Sequence, residues 1–391
     1  MRNSLKRFAA VCAAISAFAA GRLGATGSPA VALLDGGDAA QWKSWVEPAG
    51  WKMIVPSAQG NNIDAHVQAL AAAVREAEGN GSVDASRVYM AGRGDAAASV
   101  FYAISRTPDL FAAGIALGGS PQAALESGRI FAANFTNAPV LWASAGSNDE
   151  ALAQKLKSDG VNMEWRSSAG LEIAAVLGWL SSHTRDPYPA TADCETNSPT
   201  FASCYWLQPL KFDVGERNDV LPSTRVVAAM RAALDLGGFG YKPDDAGPGI
   251  QVTFLPEKYG GPLKMGDRVI EVEGKPIANA KAYGEIMSRY SEEKPVIAMV
   301  QRGNKRERME THVIVPHIDA APTARVQGKY EMEDKLVLII SRTVTEMRVN
   351  IPEQWVGSGL LWNGLAMEKI EKAGCVLLTI DKELLHASDC K

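Results

Sequence analysis

Hydrophobic and polar positions follow two different periods in the first half of the chain. Short apolar runs predict strands at residues 30–34, 51–55, 87–91, 112–117, 139–145 and 165–167. Between these runs, apolar residues recur at helical spacing over residues 63–78, 96–107, 149–158 and 172–182. Because strands alternate with helices, we expect an α/β domain at 28–190 with a parallel sheet covered by helices on both faces.

The second half of the chain has a different pattern. Between residues 234 and 317, strand and turn signals surround one helical stretch at 280–290. Further apolar runs predict strands at residues 335–340, 347–351 and 375–380. Trp362-Asn363-Gly364 is typical of a hairpin turn. We therefore expect a linker at 191–233, a β-rich domain with a helix at 234–317 and a small antiparallel β-domain at 318–391.

Composition supports several folded domains and excludes some partners. A chain of 391 residues is too long for one core, and 47% apolar with 21% charged residues is ordinary globular composition. The net charge is −4 and there is no long basic run, so a dedicated nucleic-acid surface is not expected.

The N-terminal residues have the pattern of an export signal. Arg2, Lys6 and Arg7 precede a short apolar run, and Ala17 and Ala19 form a small-residue cleavage pattern. A buried N-terminal helix is the alternative. We expect a signal peptide at 1–20, and a periplasmic or extracellular protein with no membrane span after cleavage.

Four cysteines remain once Cys12 leaves with the signal peptide. They form two local pairs, Cys194 with Cys204 and Cys375 with Cys390, without C-x-x-C spacing and without a histidine cluster. Two disulfides in an oxidising compartment are the simpler expectation than a zinc site. The sequence indicates no metal and no cofactor.

Residues 87–99, RVYMAGRGDAAAS, predict a strand, a sharp turn and a helix. With PDLFAAG downstream, this stretch resembles α/β-hydrolases of the polyhydroxyalkanoate-depolymerase and feruloyl-esterase type, over residues 31–189. The resemblance implies a doubly wound sheet and a catalytic serine at the turn. Gly94 occupies that serine position, Leu171 occupies the position of the histidine base, and Asp149 matches the acid. The carboxylate of Asp149 has a second interpretation, a solvated group at a helix start.

The remaining candidates do not replace the missing groups. His66 is interpreted as a packed helical residue, and His183 as a cap on the C-terminal end of a helix. Asp35 precedes Gly36 and Gly37, where its negative charge would oppose an oxyanion. Ser120 and Ser147 are interpreted as turn residues. The expected domain is therefore a hydrolase frame without nucleophile or base.

Residues 263–277, LKMGDRVIEVEGKPI, resemble a PDZ domain of the bacterial, periplasmic-protease type. The resemblance implies a groove that takes an extended C-terminal peptide beside a helix, with loop amides holding the carboxylate. The matching residues are Gly237, Gly238, Phe239, Gly240 and Tyr241 in the loop, and Tyr283 and Met287 on the helix. The alternative is that the glycines form only a turn.

These observations predict an exported, non-catalytic protein that binds peptides or protein C-termini through the PDZ-like region. The competing prediction is an active serine hydrolase, an esterase or peptidase, whose catalytic site lies elsewhere in the chain.

Overall fold

The computed structural model describes residues 27–57, 62–146, 148–216, 220–226, 232–242, 244–290, 292–315, 321–367, 369–381 and 384–390. The expected signal peptide, Cys12 and Ser147 lie outside these ranges. Within them, no helix is both long and apolar enough to cross a bilayer.

The first region, the parallel-sheet domain, has six strands that all run parallel in the order β2-β1-β3-β4-β5-β6. The strands are β1 (Ser28–Leu33), β2 (Lys52–Ile54), β3 (Val83–Arg93), β4 (Ala113–Leu117), β5 (Val140–Ser144) and β6 (Met163–Ser167). The helices are α1 (Ala39–Val46), α2 (Ile63–Gly79), α3 (Ala97–Arg106), α4 (Gln122–Glu126), α5 (Asp149–Ser158) and α6 (Ile173–Ser181). The predicted parallel α/β sheet is confirmed.

Alternate side chains of β1 enter two separate cores, as the strand period requires. Ala30 and Ala32 belong to the core on one face, which also contains Phe101 of α3. Val31 belongs to the core on the other face with Trp42 of α1. The sheet is therefore buried on both sides, which explains why its strands are continuous apolar runs.

The strand order reverses direction between β1 and β3. The chain leaves β1 towards β2 on one side, and every later strand adds on the other side. In open parallel sheets, the loops that follow two such strands diverge and leave a crevice at the carboxyl edge. This topology places a crevice between the loops after β1 and β3.

Two strands follow the parallel-sheet domain, β7 (Thr191–Thr196) and β8 (Leu207–Phe212). Cys194 in β7 is joined to Cys204 by a disulfide with a Cα–Cα distance of 5.9 Å.

The next unit, the inserted domain (residues 232–315), is an antiparallel sheet with one helix. Its elements are β9 (Ala233–Leu234), β10 (Ile250–Gln251), β11 (Arg268–Val272), β12 (Lys275–Pro276), α7 (Ala280–Met287), β13 (Lys294–Arg302) and β14 (Lys305–Ile314). The strand order is β10-β11-β13-β14-β9, and β12 pairs with β11. Buried Asp267 ties the turn before β11 to β13, since it accepts hydrogen bonds from the Lys264 N–H at 2.8 Å and from Arg302 at 2.7 Å.

The last strands are β15 (Ala324–Glu331), β16 (Leu336–Arg342), β17 (Val344–Ile351), β18 (Gly359–Trp362), β19 (Leu365–Met367), β20 (Gly374–Asp381) and β21 (Leu384–Asp389). With β7 and β8 they form the β-domain, made of two sheets ordered β19-β18-β16-β15-β7 and β21-β20-β17-β8. Cys375 and Cys390 are bonded, with a Cα–Cα distance of 5.6 Å. Both expected disulfides are confirmed.

The β-domain corrects two expectations. The prediction of a linker at 191–233 is wrong for its first part, because β7 pairs with β15 and β8 pairs with β17. The inserted domain therefore interrupts the β-domain. The expected purely antiparallel arrangement is also wrong, because β16 and β18 run parallel. The predicted hairpin between β18 and β19 is confirmed, and Asn363 and Gly364 have the positive φ angles, 49° and 87°, of a type I′ turn.

The two connectors of the inserted domain meet at one buried carboxylate. Glu195 of β7 accepts hydrogen bonds from Thr224 N–H at 2.6 Å in the outgoing connector and from the Thr323 hydroxyl in the returning one. Arg342 of β16 completes the cluster with an ion pair of 2.9 Å. The charge of this buried side chain is thus compensated on several sides.

Candidate functional site

An opening of the parallel-sheet domain, named here the sheet cavity, lies at the carboxyl edge of the sheet and has a volume of about 700 Å³. The loops after β1, β3, β4 and β6 contribute its walls. Its apolar side chains are Trp45, Leu117, Leu171, Ile173 and Val176. Its polar side chains are Asp38, Arg93, Ser168 and Glu172, and backbone at Gly94 and Gly118 completes it. The position agrees with the crevice that the strand order requires.

Gly94 faces open space at the turn between β3 and α3. Its φ is 57°, and a Cβ added there would have no atom within 4 Å. A Cβ on Gly92 would overlap the carbonyl oxygen of Ala96, and one on Gly119 would overlap that of Gly94. Glycine is therefore required at position 92, before the turn, and at position 119, in the loop after β4 that packs on the turn. Position 94 has room for a side chain that the sequence does not provide.

The structure brings two of the three family-matched positions together. Leu171 lines the sheet cavity beside Gly94, but Asp149 does not line it. The Asp149 carboxylate instead accepts the Gly146 N–H at 3.0 Å, within the loop that begins α5. Asp35 also acts locally, because its carboxylate accepts the Gly37 N–H at 2.9 Å. An amide that would serve an oxyanion is therefore already engaged by a negative charge.

No histidine among the described residues lines the sheet cavity. His183 packs against Trp179 with ring centroids 4.3 Å apart and ring planes inclined by 45°, and its Nδ1 lies 2.8 Å from the Trp179 carbonyl oxygen. This geometry matches the predicted cap at the end of α6. Ser120 accepts the Gln122 N–H at 3.2 Å, which is the local bond of a turn residue.

Sequence reasoning missed most of the sheet cavity's polar lining. Asp38, Arg93, Ser168 and Glu172 were not singled out, because no motif marks them. Their common signal is positional, since each lies at or just after the carboxyl end of a strand or immediately before a helix. That rule would have found them without any resemblance.

A second opening, named here the groove cavity, lies in the inserted domain between α7 and the loop at residues 237–241. Its volume is about 240 Å³. Five of the predicted binding residues line it, namely Gly238, Phe239, Tyr241, Tyr283 and Met287. Gly237 and Gly240 do not, and residues 232–234 and Gly284 are lining residues that the sequence did not indicate.

The loop beside the groove cavity carries free backbone donors. In the part of the chain that the structure describes, the N–H groups of Gly237, Gly238 and Phe239 donate to no acceptor. The next amide, Gly240 N–H, is engaged by the Phe254 carbonyl oxygen at 2.9 Å. Tyr259 fixes the loop because its hydroxyl bonds the Leu236 carbonyl and accepts the Leu263 N–H at 3.0 Å.

An aromatic contact closes one side of the groove cavity. The rings of Tyr241 and Tyr283 meet edge to face with centroids 5.5 Å apart. Burial raises the pKa of the Tyr283 phenol well above its ordinary value, so the hydroxyl stays protonated and the wall stays uncharged. The groove cavity is thus an apolar recess beside a row of amides.

Groups of three or more histidine, cysteine, aspartate or glutamate side chains that could hold a metal ion do not occur among the described residues.

Comparisons with known proteins do not assign a family. No family model matches the chain, and no curated protein matches it. A solved structure described as a thermostable esterase aligns with 16% identity and a TM-score of 0.28, over 41% of this chain and 55% of that one. The match spans about half the length of the esterase, and its score is too low to decide either fold or function.

Proposed function

We propose that the chain is an exported, non-catalytic protein that binds the C-terminal ends of peptides or proteins. In this proposal the inserted domain is PDZ-like and captures the C-terminus. The parallel-sheet domain is a degenerate α/β-hydrolase.

The observation that carries the binding proposal is the row of three unpaired amides at Gly237, Gly238 and Phe239. Successive backbone N–H groups make a concave anion site, and hydrogen bonds to an ionised group are the stronger kind. A C-terminal carboxylate fits such a row, whereas an uncharged C-terminal amide offers fewer acceptors and no charge.

The neighbouring recess suits the side chain of the last residue of a bound peptide. Phe239, Tyr283 and Met287 line the groove cavity, and none of the side chains in its lining carries a charge. Burying an apolar side chain there contributes in proportion to the area removed from water. The peptide ligand is therefore expected to end in an apolar residue.

The non-catalytic part of the proposal is supported by the sheet cavity. Gly94 supplies no oxygen, Leu171 accepts no proton, and the Asp149 carboxylate is bonded within its own loop. Nucleophile, base and orienting acid act as a unit in acyl transfer, so the absence of the first two removes the reaction.

The competing function, an active serine hydrolase, has one candidate in the structure. Ser168 lines the sheet cavity, but no histidine does so among the described residues. A serine without a base is not an activated nucleophile. A fluorophosphonate probe, which labels activated serines, is expected to leave the full chain unmodified, and labelling of Ser168 or any other serine would replace the proposal with this alternative.

Export is supported by the two disulfides, since such bonds persist in oxidising compartments. Intact mass spectrometry of protein recovered from outside the cytoplasm, without reductant, is expected to show two disulfides and loss of the first 20 or so residues. Four free thiols or a retained Met1 would contradict export.

Titration calorimetry of the full chain tests the binding proposal directly. A peptide that ends in Val with a free carboxylate is compared with the same peptide carrying a C-terminal amide. Amidation is expected to weaken binding by about 1.5–3 kcal/mol, because charge-assisted hydrogen bonds are lost. N-terminal acetylation is the matched control and should have no effect at this site. Equal affinities of acid and amide would refute carboxylate capture.

A further inference from the structure

The sheet cavity, proposed above to lack a nucleophile and a base, carries charges of both signs. Asp38, Arg93 and Glu172 all line it, and none of the three forms an ion pair within the described part of the chain. They come from three different strand ends: Asp38 lies in the loop after β1, Arg93 is the last residue of β3, and Glu172 lies in the loop after β6. The rest of the wall is apolar, with Trp45 held edge to face against Trp42 at 5.1 Å.

The two carboxylates are not explained by helix capping. Asp38 and Glu172 occupy the N-cap positions of α1 and α6, where a side-chain oxygen normally accepts an N–H of the first turn. Neither side chain makes such a bond. Both carboxylates therefore keep their acceptor capacity at the cavity.

Charge balance restricts what can fill this space. An uncharged apolar ligand offers no partner to these charges, of which Asp38 is half-buried and Arg93 and Glu172 are exposed. A purely anionic ligand meets Asp38 and Glu172, and a purely cationic one meets Arg93, so each leaves a like charge nearby. A ligand with a positive and a negative end and an apolar body gives every charge an opposite partner.

The geometry points to a short apolar peptide with free termini as the ligand of the sheet cavity. The peptide carboxylate pairs with Arg93, and the peptide ammonium pairs with the carboxylates of Asp38 and Glu172. Apolar side chains of the peptide pack on Trp45, Leu171 and Ile173. A cavity of about 700 Å³ is within the range that holds ligands of this size. No bond is made or broken.

This site is distinct from the groove cavity, because it requires both ends of the peptide. The groove cavity needs only the carboxylate, so acetylation of the N-terminus separates the two. Hydrogen exchange of the full chain separates them by location as well, since residues 168–176 report on the sheet cavity and residues 236–242 on the groove cavity.

The probe is the tripeptide Leu-Ala-Leu in free, N-acetylated and C-amidated forms. The free form is expected to slow exchange at residues 168–176. Either modification should weaken this protection by about tenfold, the effect of losing one charge-assisted hydrogen bond. In the variant Asp38→Asn with Glu172→Gln, acetylation should no longer matter, and in Arg93→Gln amidation should no longer matter.

Asp95→Asn is the matched control, because Asp95 is an exposed acid next to Gly94 that does not line the sheet cavity. This variant should keep the full dependence on both termini. The proposal is overturned if the tripeptide leaves residues 168–176 unprotected, or if the acetylated and amidated forms protect them as well as the free form. If the free tripeptide protects residues 168–176 but leaves residues 236–242 unprotected, the result contradicts the groove proposal and not this one.

Discussion

The sheet cavity and the groove cavity differ in the groups on which their proposed functions depend, side chains in the first and backbone amides in the second. Acyl transfer at the sheet cavity would depend on side chains, and in the proposed function Gly94 and Leu171 do not supply the nucleophile and the base. Carboxylate capture at the groove cavity depends on backbone N–H groups, which every residue except proline supplies. A site made of backbone amides tolerates any substitution that leaves the backbone conformation unchanged and introduces no proline.

The same contrast applies to the glycines of the two regions. In the parallel-sheet domain, Gly92 and Gly119 are required by close contacts with the backbone of the turn. In the inserted domain, Gly237 and Gly238 have φ angles of 83° and 71°, and their amides are themselves the proposed binding groups. A tight glycine turn is therefore by itself no sign of catalysis, whereas the binding proposal depends on the amides of such a turn.

The largest effect is expected from Gly119→Ala, compared with Gly94→Ala. At Gly119 a Cβ overlaps the Gly94 carbonyl oxygen at a φ of 59°, so steric strain and backbone strain together should lower the free energy of unfolding by about 3 kcal/mol. At Gly94 only the backbone cost applies, about 1 kcal/mol. Urea denaturation measures both variants, and equal losses would show that the turn is not fixed by this contact.

The parallel sheet was predictable because its signals are local. Each strand and helix from β1 to α6 lies in one apolar run or one helical repeat, and short connections keep neighbours adjacent. The β-domain was not predictable in this way. Arg325 and Asp193 pair across more than a hundred residues of chain, and no local pattern marks that β7 and β15 belong to one sheet.

The candidate site residues also differ in whether a local sequence signal places them or only the three-dimensional structure does. Gly94 and Leu171, which the resemblance matches to one site, both line the sheet cavity, because each follows a strand of the parallel sheet. Asp149 does not line that cavity, and its bond to the Gly146 N–H agrees with the alternative interpretation of a carboxylate at a helix start. Tyr241 and Tyr283 were named as separate groove residues, and their mutual contact is visible only in three dimensions.

The next effect concerns peptide binding. Phe239→Ala removes an apolar wall of the groove cavity and should weaken a free-acid peptide by about tenfold, or 1.4 kcal/mol. Phe254→Ala is the matched control, because this phenylalanine is 60% exposed and does not line the cavity. Calorimetry should show a loss for the first variant only. Equal losses would place the peptide on the face that carries Phe254.

The smallest effect concerns how stability depends on pH, which should have opposite signs at one carboxyl group of the inserted domain and one of the parallel-sheet domain. Although burial raises it, hydrogen bonds from Arg302 and Lys264 bring the pKa of Asp267 in the inserted domain below its ordinary 3.8. Burial raises the pKa of Glu78 in the parallel-sheet domain above its ordinary 4.5, although Arg185 lies 2.9 Å away. The two carboxyl groups should therefore respond to acid in opposite ways.

A lowered folded pKa contributes stability above the unfolded value, and this stability is lost as the pH falls through the folded value. Asp267→Asn should accordingly destabilise the inserted domain by about 1 kcal/mol near neutral pH, the net value of a hydrogen bond, and the difference from the native chain should shrink below pH 3.8.

A raised folded pKa contributes stability below the unfolded value that is lost as the pH rises. The free energy of unfolding of the native chain should therefore rise relative to that of Glu78→Gln as the pH falls towards 4.5. Hydrogen exchange at β11 and at α2, corrected for intrinsic rates between about pH 2 and pH 6.5, measures the two regions separately. Parallel slopes for the two variants would show that one global unfolding step, rather than the local surroundings of each carboxyl group, determines the response to acid.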